Sequence, residues 1–246
     1  MKSQRTLLAR SFLVQGSWNY RTLLGTGMLW ALLPLLRRGD GDETAARARL
    51  GRNGEHFNAH PYLTPLALGA LGQLERAGED PERIRRFRKA LAGPLGSLGD
   101  TFVWAVWRPV CLLVALTLAT LAIPPLLVAV AFLTLYNVVH VGLRAWGIRV
   151  GSELGFRVSE ALRRLRLPHW AERIGAVGVL FLGLLSGALT VRGLELPGWG
   201  LPWLLGGATF FLVGFTKGDL FRRWVPALAL VSVVGGLLAG LVWPLG

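Results

Sequence analysis

The sequence predicts an all-α integral membrane protein, a multi-span helical bundle with short re-entrant or interfacial helices in its N-terminal half. Three observations predict it. Hydrophobic residues make up 52% of the chain, and they gather into runs rather than alternating. Residues 109–143 hold no charged side chain, a run too long for one span of about 20 residues. All but three of the 27 Lys and Arg (Arg21, Arg108 and Arg192) fall in the segments 1–10, 37–52, 76–89, 144–173 and 217–223. Clusters of this kind mark cytoplasmic loops. They orient a single membrane domain, 1–246, with its N-terminus in the cytoplasm and its C-terminus outside.

The elements follow in order. Within the mostly apolar residues 7–20, Ser11, Gln15 and Asn19 recur every four positions, a polar line at helical spacing that joins helices or lies at the membrane surface. Stretch 22–36 is apolar but short, contains Pro34, and has basic flanks on both sides. It enters and leaves on one side rather than crossing. Stretch 61–72 repeats the pattern, interrupted by Pro61 and Pro65. Asn58 and His60 stand at its entrance, where broken membrane helices place polar groups against a substrate. The competing reading has both residues brace the break. His56 and His60 are four apart, but no third metal ligand is evident. Pro81 suits the start of a basic surface helix over 76–89, directed at anionic headgroups or a partner.

The run from Ala90 to Asp100 carries Gly93, Gly96 and Gly99 at every third position and leads directly into apolar sequence. It reads as a tight loop, with Asp100 as N-cap of the helix that follows. Asp100, Trp104 and Arg108 then share one face of that helix. A carboxylate and a guanidinium at the mouth of a span point to a functional site; capping by Asp100 and snorkelling by Arg108 are the structural alternative. Pro124-Pro125 splits the next run into a hairpin, 102–122 and 126–143, which closes on Tyr136, Asn137 and His140. A basic amphipathic linker, 144–173, precedes three spans at 174–191, 199–216 and 224–243. Gly206-Gly207 and Gly235-Gly236 suit close helix packing there.

Several classes are excluded. The single Cys111 rules out a disulfide framework. No phosphate-binding loop or nucleophile elbow appears, and no nucleic-acid motif accompanies the basic charge. The chain calls for no cofactor of its own.

Three blocks resemble a known family, the IID membrane component of the mannose/fructose/sorbose class of the bacterial phosphotransferase system. They are Arg10-Ser11-Phe12 through Gln15-Gly16-Ser17-Trp18-Asn19-Tyr20; Glu55 through Phe57-Asn58-Ala59-His60-Pro61-Tyr62; and Gly93-Pro94-Leu95 through Gly99-Asp100 to Trp104 and Arg108-Pro109. The resemblance implies a non-catalytic subunit in the bacterial inner membrane. It would pair with a homologous IIC subunit, as three heterodimers, to take up a hexose. Soluble IIA and IIB proteins would phosphorylate the sugar through their own histidines, so none of the four His here would carry phosphate. A sugar needs groups that both donate and accept hydrogen bonds and an aromatic face for the ring. On that logic the expected substrate contacts are Asn58, His60, Asp100, Trp104 and Arg108. A non-transporting membrane interaction or regulatory protein that retains the same fold is the alternative.

Overall fold

The structure is a computed structural model that describes residues 2–36, 43–121 and 123–194. By its contacts the chain forms two compact units, Met1–Leu185 and Ser186–Gly246, and the second contributes only the last turns of one helix to the described residues. The expected spans at 199–216 and 224–243, the loop at 192–198 beyond Leu194, and both glycine pairs lie outside them.

All regular structure among the described residues is helical, and extended pairing is limited to isolated bridges of Leu23 with Asn19 and Phe57. Helix α1 is Lys2–Ser11, α2 Gly25–Leu36, α3 Glu43–Asn53, α4 Thr64–Arg76 and α5 Pro81–Gly99. A π-helical segment, Asp100–Trp107, joins α5 to α6, Arg108–Thr120. Then come α7, Pro125–Leu154, a 3-10 turn at Gly155–Arg157, α8, Val158–Leu165, and α9, Leu167–Leu194. Two stretches, Pro81–Thr120 and Pro125–Leu189, are long and apolar enough to cross a membrane. At 12 and 13 residues, α2 and α4 rise only about 20 Å, short of a hydrocarbon core of about 30 Å.

Helix α4 is the centre of the first unit. It is buried on nearly every side, among α1, α2, α5 and α7, as its nearly continuous apolar sequence requires. Its contact with α7 is backbone on backbone. A Cβ added at Gly69 would stand 2.5 Å from the Ile148 carbonyl oxygen. One at Gly147 would stand 2.8 Å from Leu66 N, and one at Gly151 2.8 Å from Ala70 N. Gly147 and Gly151, one helical stride apart, thus form the small-residue seam that lets two apolar helices approach closely.

Four expectations are corrected. The helix expected over 7–20 ends at Ser11, and the polar line ends with it. Asn19 is instead a turn residue: its Oδ1 accepts from Arg21 N and Thr22 N, and its Nδ2 donates to Thr22 Oγ1 at 2.7 Å. Local side-chain bonds of this kind compete with helix. The glycine-rich run is helical rather than a loop, so the basic 76–89 segment and the span form one 40-residue helical stretch. Its N-cap is Asp80, whose carboxylate accepts from Arg83 N at 2.7 Å, with Pro81 following. Asp100 therefore caps nothing; it has helical φ and ψ of −63° and −45°. Finally, α7 runs through the expected end of the hairpin to Leu154, so Arg144 is a buried helix residue rather than part of a linker.

The π-helical segment has a local cause. Pro109 cannot donate a backbone hydrogen bond, and its ring crowds the carbonyl one turn earlier. The helix widens ahead of it, and Arg108 N bonds back to the Val103 carbonyl. Wide turns of this kind concentrate at functional sites.

The glycine seam predicts unequal responses to one added methyl. Gly151→Ala should destabilise the purified protein by on the order of 2 kcal/mol through overpacking. Gly142→Ala, where nothing lies within 4 Å, should be neutral or slightly stabilising. Thermal unfolding in detergent followed by tryptophan fluorescence checks both.

Candidate functional site

The loop from Glu55 to Tyr62 is the first component of the site. It is tied down by Arg88 of α5, 1% exposed, which donates to the carbonyls of Glu55 at 2.6 Å and His56 at 3.0 Å and packs over the Phe57 ring. Just downstream, α5 makes room for the loop at Gly99, where any Cβ would collide with that of His60. His60 N also bonds the Leu95 carbonyl at 3.4 Å. Gly99 thus serves a close approach of α5 to the loop from within a helix, whereas a Cβ at Gly96 would make only ordinary contacts and one at Gly93 none.

His60 is 1% exposed. Its Nδ1 accepts from Tyr62 N at 3.1 Å, which leaves the proton of the neutral ring on Nε2. That Nε2 is buried without a hydrogen-bond partner among the described residues. Buried donors are rarely left so, because the lost hydration is not replaced. His60 lies before α4, outside both long apolar stretches. Burial first, then the Arg144 cation and His140, lowers its pKa from 6.5 to about 4, so the ring is neutral at pH 7.

Aromatic rings surround it. Trp104 of the π-helical segment and Tyr62 each stand 5.0 Å from the His60 ring. Tyr62 stacks on His140 of α7 at 4.0 Å, and its hydroxyl donates to that of Tyr136 at 2.6 Å. Burial and that bond push the Tyr62 pKa upward, so it remains a neutral hydroxyl. Trp104 is 39% exposed, so the cluster opens to the surface along this ring. Arg108 lies over the outer part of Trp104 at 5.5 Å.

Arg144 anchors the far side. It is 2% exposed, and no carboxylate reaches it among the described residues. Its Nε donates to His140 Nε2 at 2.7 Å, and its Nη1 donates to the Ser11 carbonyl at the C-terminus of α1. That helix end carries partial negative charge, which suits a cation. The rings of Phe12 and Tyr62 lie 4.9 and 5.5 Å from the guanidinium. With Nε2 accepting, His140 holds its proton on Nδ1 and donates it to Asn137 Oδ1 at 3.2 Å.

Of the five expected residues, His60, Trp104 and Arg108 come together. Asp100 and Asn58 are exposed, and Asp100 makes no ion pair with Arg108 among the described residues. His56 and His60 do not share a helical face, since 56–60 is not helical. Tyr62, Tyr136 and His140 complete the cluster without having been singled out as contacts. Tyr62 stands inside the second sequence block, and Tyr136 and His140 are one helical stride apart in an uncharged span. That pairing was the available signal.

Fold and site define a helical membrane protein in which the loop entering the short, buried helix α4 carries a neutral histidine, ringed by aromatic side chains from that loop and from the two long apolar stretches. The model of the PTS system mannose/fructose/sorbose family IID component matches residues 1–194, and the chain belongs to that family. It is 29% identical over 189 residues to the PTS system mannose-specific EIID component of Escherichia coli (strain K12), covering 74% of this chain and 65% of that protein. It is 26% identical over 187 residues to the fructose permease IID component of Bacillus subtilis (strain 168), covering 73% and 66%. The match thus spans just under two thirds of the length of these relatives. Two solved structures share the fold. One, described as a membrane protein, superposes with a TM-score of 0.69 at 23% identity, covering 97% of each chain. The other is a chain from the mannose transporter ManYZ in complex with microcin E492, with a TM-score of 0.60 at 22% identity, covering 97% of this chain and 96% of that one.

The lowered His60 pKa predicts a direction for acid sensitivity. A ring with a folded pKa of about 4 and an ordinary value of 6.5 binds fewer protons folded than unfolded between those values. Its contribution to stability is complete above pH 6.5 and is lost as pH falls toward 4. Melting temperature should drop across that window, and His60→Gln should flatten the slope relative to wild type.

Proposed function

We propose that this chain is the IID subunit of a sugar uptake system of the mannose class, working with a IIC subunit in the bacterial inner membrane. The observation that carries the site assignment is His60 Nε2, a buried donor without a protein partner, set between the rings of Tyr62 and Trp104. A pyranose offers both things this arrangement lacks: hydroxyl oxygens that accept, and an apolar ring face that stacks on indole. Names of relatives from two bacteria, one mannose-specific and one a fructose permease, support a hexose as substrate.

In this reading Trp104 stacks on the sugar, His60 donates to a ring substituent, and Arg108 holds Trp104 in place at the entrance. Tyr136 and His140 fix Tyr62 from behind, and Asn58 and Asp100 supply further polar contacts from the exposed rim. Energy comes from outside the chain, through IIA and IIB proteins that phosphorylate the entering sugar. The clustering of Lys and Arg supports an N-terminus in the cytoplasm and a C-terminus outside, with α2 and α4 dipping into the membrane without crossing. Assembly as three heterodimers with IIC belongs to the same proposal.

Reconstituted uptake of radiolabelled mannose with the cognate IIC, IIA and IIB proteins tests it. Trp104→Ala and His60→Gln should each lower uptake tenfold or more at unchanged complex yield, consistent with the loss of an aromatic or a buried hydrogen-bonding contact worth about 1.5 kcal/mol or more. Asp100→Asn and Asn58→Ala decide whether the rim takes part. Wild-type uptake by both Trp104→Ala and His60→Gln would remove the cluster from the substrate path.

A further inference from the structure

A second feature lies at the corner where α8 turns into α9, against the glycine-rich part of α5. Helix α8 is strongly amphipathic. Val158 and Leu162 are buried, while Arg163 and Arg164 face outward. The turn that follows is made by Arg166 in the left-handed conformation, φ 48°, where a residue with a side chain is disfavoured. A glycine would suit that backbone better; the position carries a guanidinium instead.

The corner encloses a groove of about 650 Å³. Arg163, Arg166 and His169 form its polar rim, and Pro94, Leu98 and Leu162 its apolar wall. None of its lining residues is acidic, and neither arginine side chain has a carboxylate partner among the described residues. At Leu98 and Pro168 the groove adjoins a narrower cavity of about 110 Å³ that passes Thr101 and Phe102 of the π-helical segment and Leu167. The pair is therefore cationic at its mouth and apolar along its depth, the polarity of an anionic amphiphile. Trp170 is exposed one turn beyond, with Arg173 over its ring at 5.9 Å. An exposed tryptophan and arginine at the start of an apolar helix mark the level of the headgroups.

We propose that this corner is a binding site for an anionic phospholipid, its phosphate held between Arg163 and Arg166 and one acyl chain laid past Leu98 toward Phe102. Two guanidiniums match phosphate oxygens by charge and by hydrogen-bond geometry. Basic pockets between helices on the cytoplasmic side take such headgroups. The inference rests on the membrane location of the chain and is independent of which sugar, if any, it helps to carry.

Native mass spectrometry of the purified full-length protein, stripped from mixed phosphatidylglycerol and phosphatidylcholine micelles, tests it. Wild type should retain phosphatidylglycerol at least fivefold over phosphatidylcholine, since each cation near an anionic lipid contributes about a fivefold preference. The Arg163→Gln/Arg166→Gln protein should fall close to parity. An Arg5→Gln/Arg86→Gln protein, equal in charge but altered elsewhere, should keep the wild-type ratio. Glycerol 3-phosphate and inorganic phosphate, which lack the chains, should neither compete with the lipid nor raise the melting temperature. Parity in wild type, equal loss in both double variants, or competition by either soluble anion would overturn the proposal. The first outcome denies selectivity, the second assigns it to overall charge, and the third makes this an ion site.

Discussion

The seating of α4 on α7 through Gly69, Gly147 and Gly151 is the constraint on which the rest of the first unit depends. Backbones brought this close leave no room for side chains at the contact, so the helices cannot slide or rotate without steric conflict. That contact sets the height of the loop leading into α4. It thereby sets where His60 and Tyr62 meet His140, three or four turns away from the α7 residues nearest Pro125. Gly99 performs the same service from the other side, letting α5 close on His60. The aromatic cluster is a consequence of three helices held at glycine distance.

Two buried arginines, Arg88 and Arg144, complete this framework, neither in an ion pair with a carboxylate among the described residues. Arg88 holds the carbonyls that end α3 and lead to the loop, and Arg144 holds the end of α1. Each satisfies a helix terminus whose carbonyls lack partners of their own, and the aromatic faces of Phe57, Phe12 and Tyr62 offset part of the desolvation. Removing Arg88 would strand three carbonyls, and removing Arg144 the Ser11 carbonyl and His140 Nε2, in an apolar interior, a more serious loss than that of a surface ion pair. Glu75 shows the contrasting solution. It is buried but bound by Arg52 and Asn53, which tie α3 to the end of α4.

Much of this was legible in the sequence, and the misses have physical reasons. The helical membrane class follows from uncharged runs and clustered arginines. The second and third blocks, around Asn58-His60 and Gly99-Trp104, do meet in space. Glycine spacing and a following acid read as a loop with a cap, because local propensity favours one. Tertiary packing overrides it, and Gly99 is needed for contact rather than for turning. Arg144 reads as linker because charge ordinarily ends a span. Nothing local in the sequence shows that α1 would bring its C-terminus to neutralise that charge. Gly147 and Gly151 lie within the same basic stretch, where clustered arginines read as a linker and conceal the packing seam. The π-helical widening needed knowledge of the helix on both sides of Pro109.

The most direct test is an electron cryomicroscopy structure of the chain together with the proposed IIC subunit and mannose. The account predicts a sugar oxygen within about 3.2 Å of His60 Nε2, with the pyranose ring against Trp104. Sugar bound away from both side chains, with His60 still enclosed only by Tyr62 and Trp104, would contradict it.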